Sequence, residues 1–183
     1  MSWRFTHAIA RPPAASIVNG LRAVDRGRPD LNTYLAEHTA YLDALRDSGV
    51  ETVLLEPLEA YPDSVFVEDA ALCLPEGFIV LRPGAPTRLG EADEIAMDFD
   101  RLGYVYRRIG RGSIDGGDIL VTDRVVMVGK SARTDREGFS ELENLLAAWG
   151  YAAILVETPA DVLHLKSDCA ILDTDTVLAT RRL

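Results

Sequence analysis

The chain repeats one pattern, which is clearest in Asp69–Leu81 (DAALCLPEGFIVL). Here an aspartate introduces two short apolar segments on either side of Pro-Glu-Gly, a composition typical of two strands joined by a turn. The pattern returns in Asp118–Val128 (DILVTDRVVMV) and in Asp168–Ala179 (DCAILDTDTVLA), so its aspartates are 49 and 50 residues apart. A period of this length is typical of modules that bury their faces against one another.

A helix and a third strand complete each module. Gly49, Gly103 and Gly150 each follow a segment with helical periodicity and precede an apolar segment. The unit is therefore strand, strand, helix, strand, which predicts an α/β propeller of repeated modules in one domain over residues 1–183. The sequence holds about three and a half units, because the fourth lacks its helix and last strand. We expect the propeller to be incomplete at the C-terminus.

Local patterns place the individual elements. The first helix is predicted to begin after the N-cap Asp30, the second covers Glu91–Leu102, and a capping box at Thr134–Glu137 opens the third. The first helix carries an apolar stripe of Leu31, Tyr34, Leu35, His38, Tyr41, Leu42 and Leu45, and the third turns Phe139, Leu142, Leu145, Leu146 and Trp149 inward. The predicted strands are Phe5–Ala10, Val50–Leu55 (buried), Ala70–Leu74, Phe78–Leu81, Tyr104–Ile109, Ile119–Val121, Val125–Val128, Ala152–Val156, Cys169–Leu172 and Thr176–Ala179.

Composition limits the classes of partner. The 183 residues are 48% hydrophobic and 26% charged, which is ordinary for a globular protein. The net charge of −10 argues against binding to nucleic acid or to an anionic membrane, and no apolar run has the length of a membrane span. Two cysteines do not make a disulfide framework, so we expect a reduced, cytoplasmic setting.

A group of acidic residues precedes the first full module. Tyr61–Asp69 (YPDSVFVED) contains Asp63, Glu68 and Asp69 beside the aromatic Phe66. Carboxylates next to an aromatic ring suit a cation, and a planar guanidinium could bind several of them. An extended chain would separate Asp63 and Asp69 by about 20 Å, so they can share a ligand only if the chain bends after Pro62. The alternative is a solvated strand end with surface acids.

Four more residues allow a chemical interpretation. His164 lies between two leucines just before Asp168, and Asp115 begins Asp-Gly-Gly-Asp, where glycines permit close backbone approach. Arg88 and Arg133 follow successive strand pairs, and guanidinium groups suit a carboxylate ligand. Each also has an ordinary explanation as a structural histidine, a loop acid or a surface arginine. We find no phosphate-binding loop, zinc-ligand spacing or Ser–His–Asp signature and expect no metal and no cofactor.

Four short motifs in one order carry a family resemblance: Phe-Val-Glu-Asp (66–69), Asp-Gly-Gly-Asp (115–118), Ser-Ala-Arg-Thr (131–134) and Leu-His-Leu-Lys (163–166). Together with Ser16–Leu21 they resemble dimethylarginine dimethylaminohydrolase, over nearly the whole chain. That family belongs to the guanidino-group-modifying enzymes, which have the five-bladed α/β propeller called the pentein fold. The resemblance implies hydrolysis of dimethylarginine or monomethylarginine to citrulline and a methylamine, with no cofactor.

The resemblance also implies a role for each matching residue. A cysteine thiolate attacks the guanidinium carbon to form a covalent thiouronium intermediate, and His164, oriented by Asp115, protonates the leaving amine and then activates water. Asp69 binds the guanidinium nitrogens, with Glu68 nearby and Phe66 packed beside them. The remaining implied contacts are Asp63 with the substrate amino group, Arg88 and Arg133 with its carboxylate, and Leu21 on a lid.

The nucleophile is the main departure from the family. Its cysteine lies in the last module, which this sequence lacks, and neither Cys73 nor Cys169 lies in the nucleophile motif. We therefore expect the 183-residue chain to bind a methylated arginine but to be inactive alone. The alternatives are an arginine deiminase or amidinotransferase relative, or a binding-only pseudoenzyme; a homodimer is one assembly that the chain could form.

Overall fold

The computed structural model describes residues 5–123, 125–173 and 176–183. Their contacts group them into two compact units, Phe5–Val67 and Glu68–Leu183, each of which is described by itself. The single domain expected over residues 1–183 stays a prediction. Among the described residues, no helix combines the length and the apolar character that crossing a membrane requires.

The Phe5–Val67 unit is a parallel strand pair with a connecting helix. Strand β1 (His7–Ala10) pairs with β2 (Glu51–Leu54), and α1 (Leu31–Asp47) lies between them in the chain, after a 3-10 helix at Ala15–Asn19. The predicted N-cap is confirmed, because the Asp30 carboxylate accepts a hydrogen bond of 2.8 Å from the Thr33 amide.

The burial predicted for β2 is wrong, and the apolar stripe of α1 is only partly buried. Strand β2 is only half-buried, and Leu54 is 51% exposed, because the strand belongs to a two-stranded sheet. On α1 the side chains of Leu35 and Tyr41 face outward, whereas Leu42 is buried. The stripe facing the unit is therefore narrower than the one read from the sequence.

The second and third modules confirm the repeat of strand, strand, helix and strand. In the second, β3 (Ala71–Leu74) and β4 (Gly77–Val80) form an antiparallel hairpin, and β5 (Tyr106–Arg108) adds parallel to β4 after α2 (Glu91–Leu102). The third repeats this order with β6 (Ile119–Val121), β7 (Val125–Lys130), α3 (Arg136–Ala147) and β8 (Ala152–Glu157). The parallel third strand follows from the helical crossover between the strands.

The fourth module is a hairpin of β9 (Cys169–Ile171) and β10 (Val177–Ala179). Its predicted turn includes positions 174 and 175, which lie outside the described residues. Between the second and third modules lies one apolar core, in which Leu142 and Leu146 of α3 are fully buried and Phe139, Leu145 and Trp149 pack at its edge. The inward face predicted for α3 is therefore confirmed.

Two local expectations are corrected in the Glu68–Leu183 unit. The N-cap of α3 is Asp135, whose carboxylate accepts from the Gly138 amide at 2.8 Å, and not Thr134. The Thr134 hydroxyl is buried and donates instead to Asp118 at 2.7 Å. The stretch that ends at Asp69 is also not extended there, because Val67–Asp69 forms a 3-10 turn.

Candidate functional site

The repeat places its functional side chains at short turns that lead into the hairpins. Asp69 ends the 3-10 turn Val67–Asp69, Asp115 is the N-cap of Gly116–Asp118, and His164 is the N-cap of Leu165–Ser167. One ligating atom from each of Asp69, Asp115 and His164 lies within 4.8 Å of the other two. The structure therefore brings these three predicted residues together.

Asp115 and His164 form a hydrogen-bonded pair. Nε2 of His164 lies 3.1 Å from Oδ2 of Asp115, and the other oxygen of this fully buried carboxylate accepts from the Gly84 amide at 2.7 Å. Burial alone would lower the pKa of His164, but the hydrogen bond to Asp115 and the negative charges of Asp69, Asp118 and Asp115 together raise it. The imidazole is thus oriented, and its protonated form is favoured.

Asp69 is held by a buried arginine and by a backbone amide. Its Oδ2 accepts from Nη1 of Arg88 at 2.6 Å, and its Oδ1 accepts from the Gly117 amide at 3.0 Å. Arg88 also donates to Glu91, from Nε at 2.9 Å and from Nη2 at 2.7 Å. Burial opposes the charge on Arg88, but its bonds and attraction to Glu91 and Asp69 outweigh burial and raise its pKa.

Glu91 is a functional candidate that the sequence analysis missed. It is the first residue of α2 and is buried, although acids at a helix start are usually interpreted as partners of the helix dipole. Its spacing of three residues from Arg88 was the available signal.

The side chains of Arg133 and Glu68 are more exposed than those of Asp69 and Arg88. Nη1 of Arg133 lies 3.8 Å from Oδ2 of Asp115, and its side chain is 21% exposed. Glu68 is exposed and accepts from Nζ of Lys166 at 3.0 Å. Arg133 therefore reaches the Asp115–His164 pair from a partly open position.

The two glycines of Asp-Gly-Gly-Asp permit close packing within the protein. A Cβ at Gly117 would come within 2.5 Å of Nδ1 of His164, and a Cβ at Gly116 would overlap the carbonyl oxygen of Glu68. The sequence predicted a close approach at these glycines, toward a ligand. The structure shows that the groups approaching them are the histidine and the backbone before Asp69.

Three predicted site residues lie in the Phe5–Val67 unit. The Leu21 amide donates to both carboxylate oxygens of Asp63, at 3.0 and 3.2 Å, and Asp63 is buried. Phe66 is 49% exposed. Sequence reasoning missed Glu59, whose carboxylate accepts from the amides of Ala15 and Ser16 at 2.8 and 3.0 Å and so caps the 3-10 helix there. The segment of Leu21 is thus anchored to an acid that was predicted to contact substrate.

Asp69, Asp115 and His164 also form a set of donors that a divalent cation could bind. Two guanidinium groups, from Arg88 and Arg133, already bring positive charge to the same carboxylates. Because the pKa of His164 is raised, a metal ion would have to compete with a proton for this imidazole.

Neither cysteine has the surroundings of an activated nucleophile. Part of Cys73 reaches the surface, yet the atoms packed around it restrict its hydration and raise the pKa of its thiol to about 11. Burial and the charge of Asp168 raise the pKa of Cys169, whose Sγ donates to the Leu165 carbonyl at 3.3 Å. Reactive thiols have a lowered pKa, so both thiols favour their protonated, unreactive form.

Known proteins resemble this chain in sequence and in structure. The profile of a family described as "N,N dimethylarginine dimethylhydrolase, eukaryotic" matches residues 27–174. The dimethylarginine dimethylaminohydrolase of Pseudomonas aeruginosa is 40% identical over 177 residues, which are 96% of this chain and 69% of that protein. This chain belongs to the dimethylarginine dimethylaminohydrolase family. The resemblance inferred from the four motifs is confirmed, and the family is one of hydrolases.

A second relative and a solved structure support the same family membership. The Streptomyces coelicolor enzyme is 34% identical over 173 residues, covering 93% of this chain and 67% of that protein. The solved Pseudomonas aeruginosa structure, a cysteine-to-serine variant in complex with citrulline, matches with a TM-score of 0.89 over 96% of this chain and 69% of that one, at 40% identity.

A more distant structure supports the fold alone. SxtG, an amidinotransferase from Microseira wollei, matches with a TM-score of 0.77 at 13% identity and covers 97% of this chain and 67% of that one. The predicted α/β fold of the pentein type is therefore confirmed.

Proposed function

We propose that this chain contributes the substrate-binding and proton-transfer groups of a hydrolase for N-methylated arginines. The observation that supports this best is the meeting of Asp69 with the Asp115–His164 pair within 4.8 Å. A guanidinium is always charged at neutral pH, so its binding needs a carboxylate, and release of its amine needs a nearby proton donor. Asp69 supplies the carboxylate, and the Asp115–His164 pair supplies the proton donor.

Asp69 is the proposed ligand of the substrate guanidinium. Arg88 and the Gly117 amide each bond one of its oxygens, and a carboxylate has about four acceptor positions in total. The two contacts fix the direction of the carboxylate and leave acceptor capacity for a planar guanidinium. Glu68 lies next in sequence and is exposed, so we propose it as a secondary negative charge for the same group.

His164 is the proposed acid and then the proposed base. Its raised pKa favours the protonated form that gives a proton to the departing methylamine when the C–N bond breaks. The neutral imidazole that results can accept a proton from the water that attacks the intermediate. Asp115 fixes the ring for both steps through the 3.1 Å hydrogen bond.

The carboxylate of the substrate is the proposed partner of Arg133. This side chain is partly exposed, whereas Arg88 is buried and bonds Asp69 and Glu91. For Arg88 to bind the substrate carboxylate as well, it would have to exchange partners. In the Phe5–Val67 unit we propose that Asp63 binds the amino group and that Leu21 and Phe66 contact the substrate.

The covalent step requires a thiolate that these two cysteines do not readily supply. In the proposed reaction a sulfur forms a bond to the guanidinium carbon, the methylamine leaves with a proton from His164, and water then breaks the C–S bond. Cys73 and Cys169 both have a raised thiol pKa. We therefore propose that the 183-residue chain by itself forms no citrulline.

A second candidate function is binding without turnover. It is favoured by the same observation, because an ordered cation site accompanied by two unreactive thiols binds a ligand without transforming it. An arginine deiminase or amidinotransferase relative would prefer a different guanidino compound. Comparing arginine with dimethylarginine as ligands separates an arginine deiminase or amidinotransferase relative from the proposed function.

Isothermal titration calorimetry tests the proposed function. Asymmetric dimethylarginine, monomethylarginine and arginine are titrated into the wild-type chain, into Asp69→Asn and into Asp161→Asn, an exposed-acid control. We expect the methylated arginines to bind more tightly than arginine, and Asp69→Asn to weaken them at least about tenfold through the lost charge-assisted bonds. Equal affinities for Asp69→Asn and the control would overturn the role of Asp69.

We also make proposals for the cellular location and for the oligomeric state of the protein. We propose a cytoplasmic location because Cys73 and Cys169 are both unpaired. A homodimer is the assembly to test by light scattering.

A further inference from the structure

Asp118 is a fully buried carboxylate with three strong hydrogen bonds. Its Oδ2 accepts from the hydroxyls of Ser131 and Thr134, at 2.6 and 2.7 Å, and its Oδ1 accepts from the Leu165 amide at 2.9 Å. Burial raises the pKa of Asp118, and these bonds oppose the rise. Burying a carboxylate without partners is costly, so these three bonds are needed to offset its burial.

The donors to Asp118 come from the segments that carry the site. Leu165 follows His164 directly, and Ser131 and Thr134 lie on either side of Arg133. The Ser131 hydroxyl also accepts from the Arg133 amide at 3.0 Å. The Thr134 hydroxyl accepts from the Asp115 amide at 3.2 Å. One carboxylate is therefore bonded directly to the amide of Leu165, the residue after His164, and through one hydroxyl each to the amides of Arg133 and Asp115.

Gly129 allows Asp118 and Leu165 to pack closely together. A Cβ at Gly129 of β7 would lie 2.9 Å from Oδ1 of Asp118 and 2.8 Å from Cβ of Leu165. Only a glycine at position 129 leaves room for the carboxylate and the chain after His164 to meet at hydrogen-bond distance.

We propose that Asp118 is a positioning residue that holds the Asp115–His164 pair and the Arg133 segment in the relative positions that proton transfer needs. The inference rests on the proposed function in one respect, that His164 is the proton-transfer group. Asp118 touches no reacting atom; it acts through the backbone of its neighbours.

The repeat supplies a matched control. Asp168 has the same place in the next module and is also buried, but its carboxylate binds Thr180 at 2.6 Å and Arg182 at 2.6 to 3.1 Å. A purely structural aspartate at this place would behave like Asp168. A positioning residue alters His164 when it is changed. The charge of Asp118 also raises the pKa of His164 directly, so substitutions of Thr134, which leave that charge in place, separate positioning from charge loss.

The test is an NMR titration of the histidine side chains in the wild-type chain, Asp118→Asn and Asp168→Asn, with His38 as the internal reference. We expect Asp118→Asn to lower the pKa of His164 by about 0.5 to 1 unit, because a nearby charge is lost and the ring is released from Asp115. Asp168→Asn should leave the His164 titration as in the wild type. An unchanged His164 pKa in folded Asp118→Asn would overturn the proposal.

A second pair of variants leaves the charge of Asp118 in place and also serves if Asp118→Asn does not fold. Thr134→Val removes the hydroxyl with little change in volume, and Thr134→Ser retains it. The proposal expects a lower His164 pKa in Thr134→Val and a nearly native value in Thr134→Ser. Identical His164 titrations in these two variants would overturn it. None of these readouts uses a methylated arginine, so failure of the proposed function would appear separately, as absent binding in calorimetry.

Discussion

Gly117 lies against the imidazole of His164, so closely that a Cβ at position 117 would come within 2.5 Å of Nδ1 and 2.7 Å of Cγ. The same glycine donates its amide to Asp69. One residue without a side chain thus lies between the proposed proton donor and the proposed guanidinium ligand, and allows them to come close.

Substitution of Gly117 should separate His164 from Asp115. We expect Gly117→Ala to displace the His164 ring from Asp115, to lower the pKa of His164 toward its ordinary value, and to destabilise the fold by about 1 to 3 kcal/mol through overpacking. The measurements are NMR titration and urea unfolding. Gly110→Ala is the control, because a Cβ there meets only Glu141 Oε2, at 3.4 Å. Equal behaviour of the two variants would contradict the packing argument.

Stability should depend on pH through His164. Its pKa is raised above the ordinary 6.5 in the folded chain. Its stabilisation is therefore fully present below about pH 6.5 and is lost as pH rises through the folded pKa. Asp115→Asn removes the main partner, so the loss of unfolding free energy between pH 6 and pH 9 should shrink by about 1.4 kcal/mol per unit of pKa shift removed.

Urea unfolding at the two pH values measures this difference, with Asp161→Asn as the exposed control. A pH dependence in Asp115→Asn that equals that of the wild type would show that Asp115 does not raise the pKa of His164.

Glu91 should support Asp69 through Arg88. Glu91→Gln keeps the shape of the side chain but leaves the buried Arg88 with one fewer negative partner. We expect a loss of about 2 to 4 kcal/mol in unfolding free energy, since breaking a buried ion pair leaves charge uncompensated. Binding of dimethylarginine should also weaken, because Arg88 would then pair more strongly with Asp69 and compete with the ligand for this carboxylate. Glu143→Gln, on the exposed face of α3, is the control; matching losses in both variants would refute this role.

The thiols should react slowly. With a raised pKa for both Cys73 and Cys169, iodoacetamide modification at pH 7 should be slower than that of free cysteine and should accelerate toward pH 9 and above. Mass spectrometry after timed quenching identifies the modified residue. Rapid modification at pH 7 that dimethylarginine prevents would instead identify one of these residues as the nucleophile.

Regular features were readable from the sequence. The bounds of α2 follow from its periodicity and from Gly103, which adopts a φ of 73°, and the hairpins follow from short apolar segments around turns. The repeat also indicated that Asp69, Asp118 and Asp168 introduce their hairpins.

Contacts between residues that are distant in sequence were not readable. Thr134 looked like an N-cap because its local sequence fits one, but its hydroxyl bonds Asp118, 16 residues away. Glu91 looked like a partner of the helix dipole, although Arg88 is only three residues away. Asp118 looked only like the first residue of a module, because Ser131, Thr134 and Leu165 become its neighbours only in the folded chain. The glycines of Asp-Gly-Gly-Asp predicted close approach, but the sequence contains no sign that His164 would be the approaching group.

A crystal structure of the chain with asymmetric dimethylarginine bound would test the proposed roles of Asp69 and His164. We expect a guanidinium nitrogen at about 3 Å from a carboxylate oxygen of Asp69, with the methylated nitrogen facing His164. A guanidinium bound away from both Asp69 and His164 would contradict these roles.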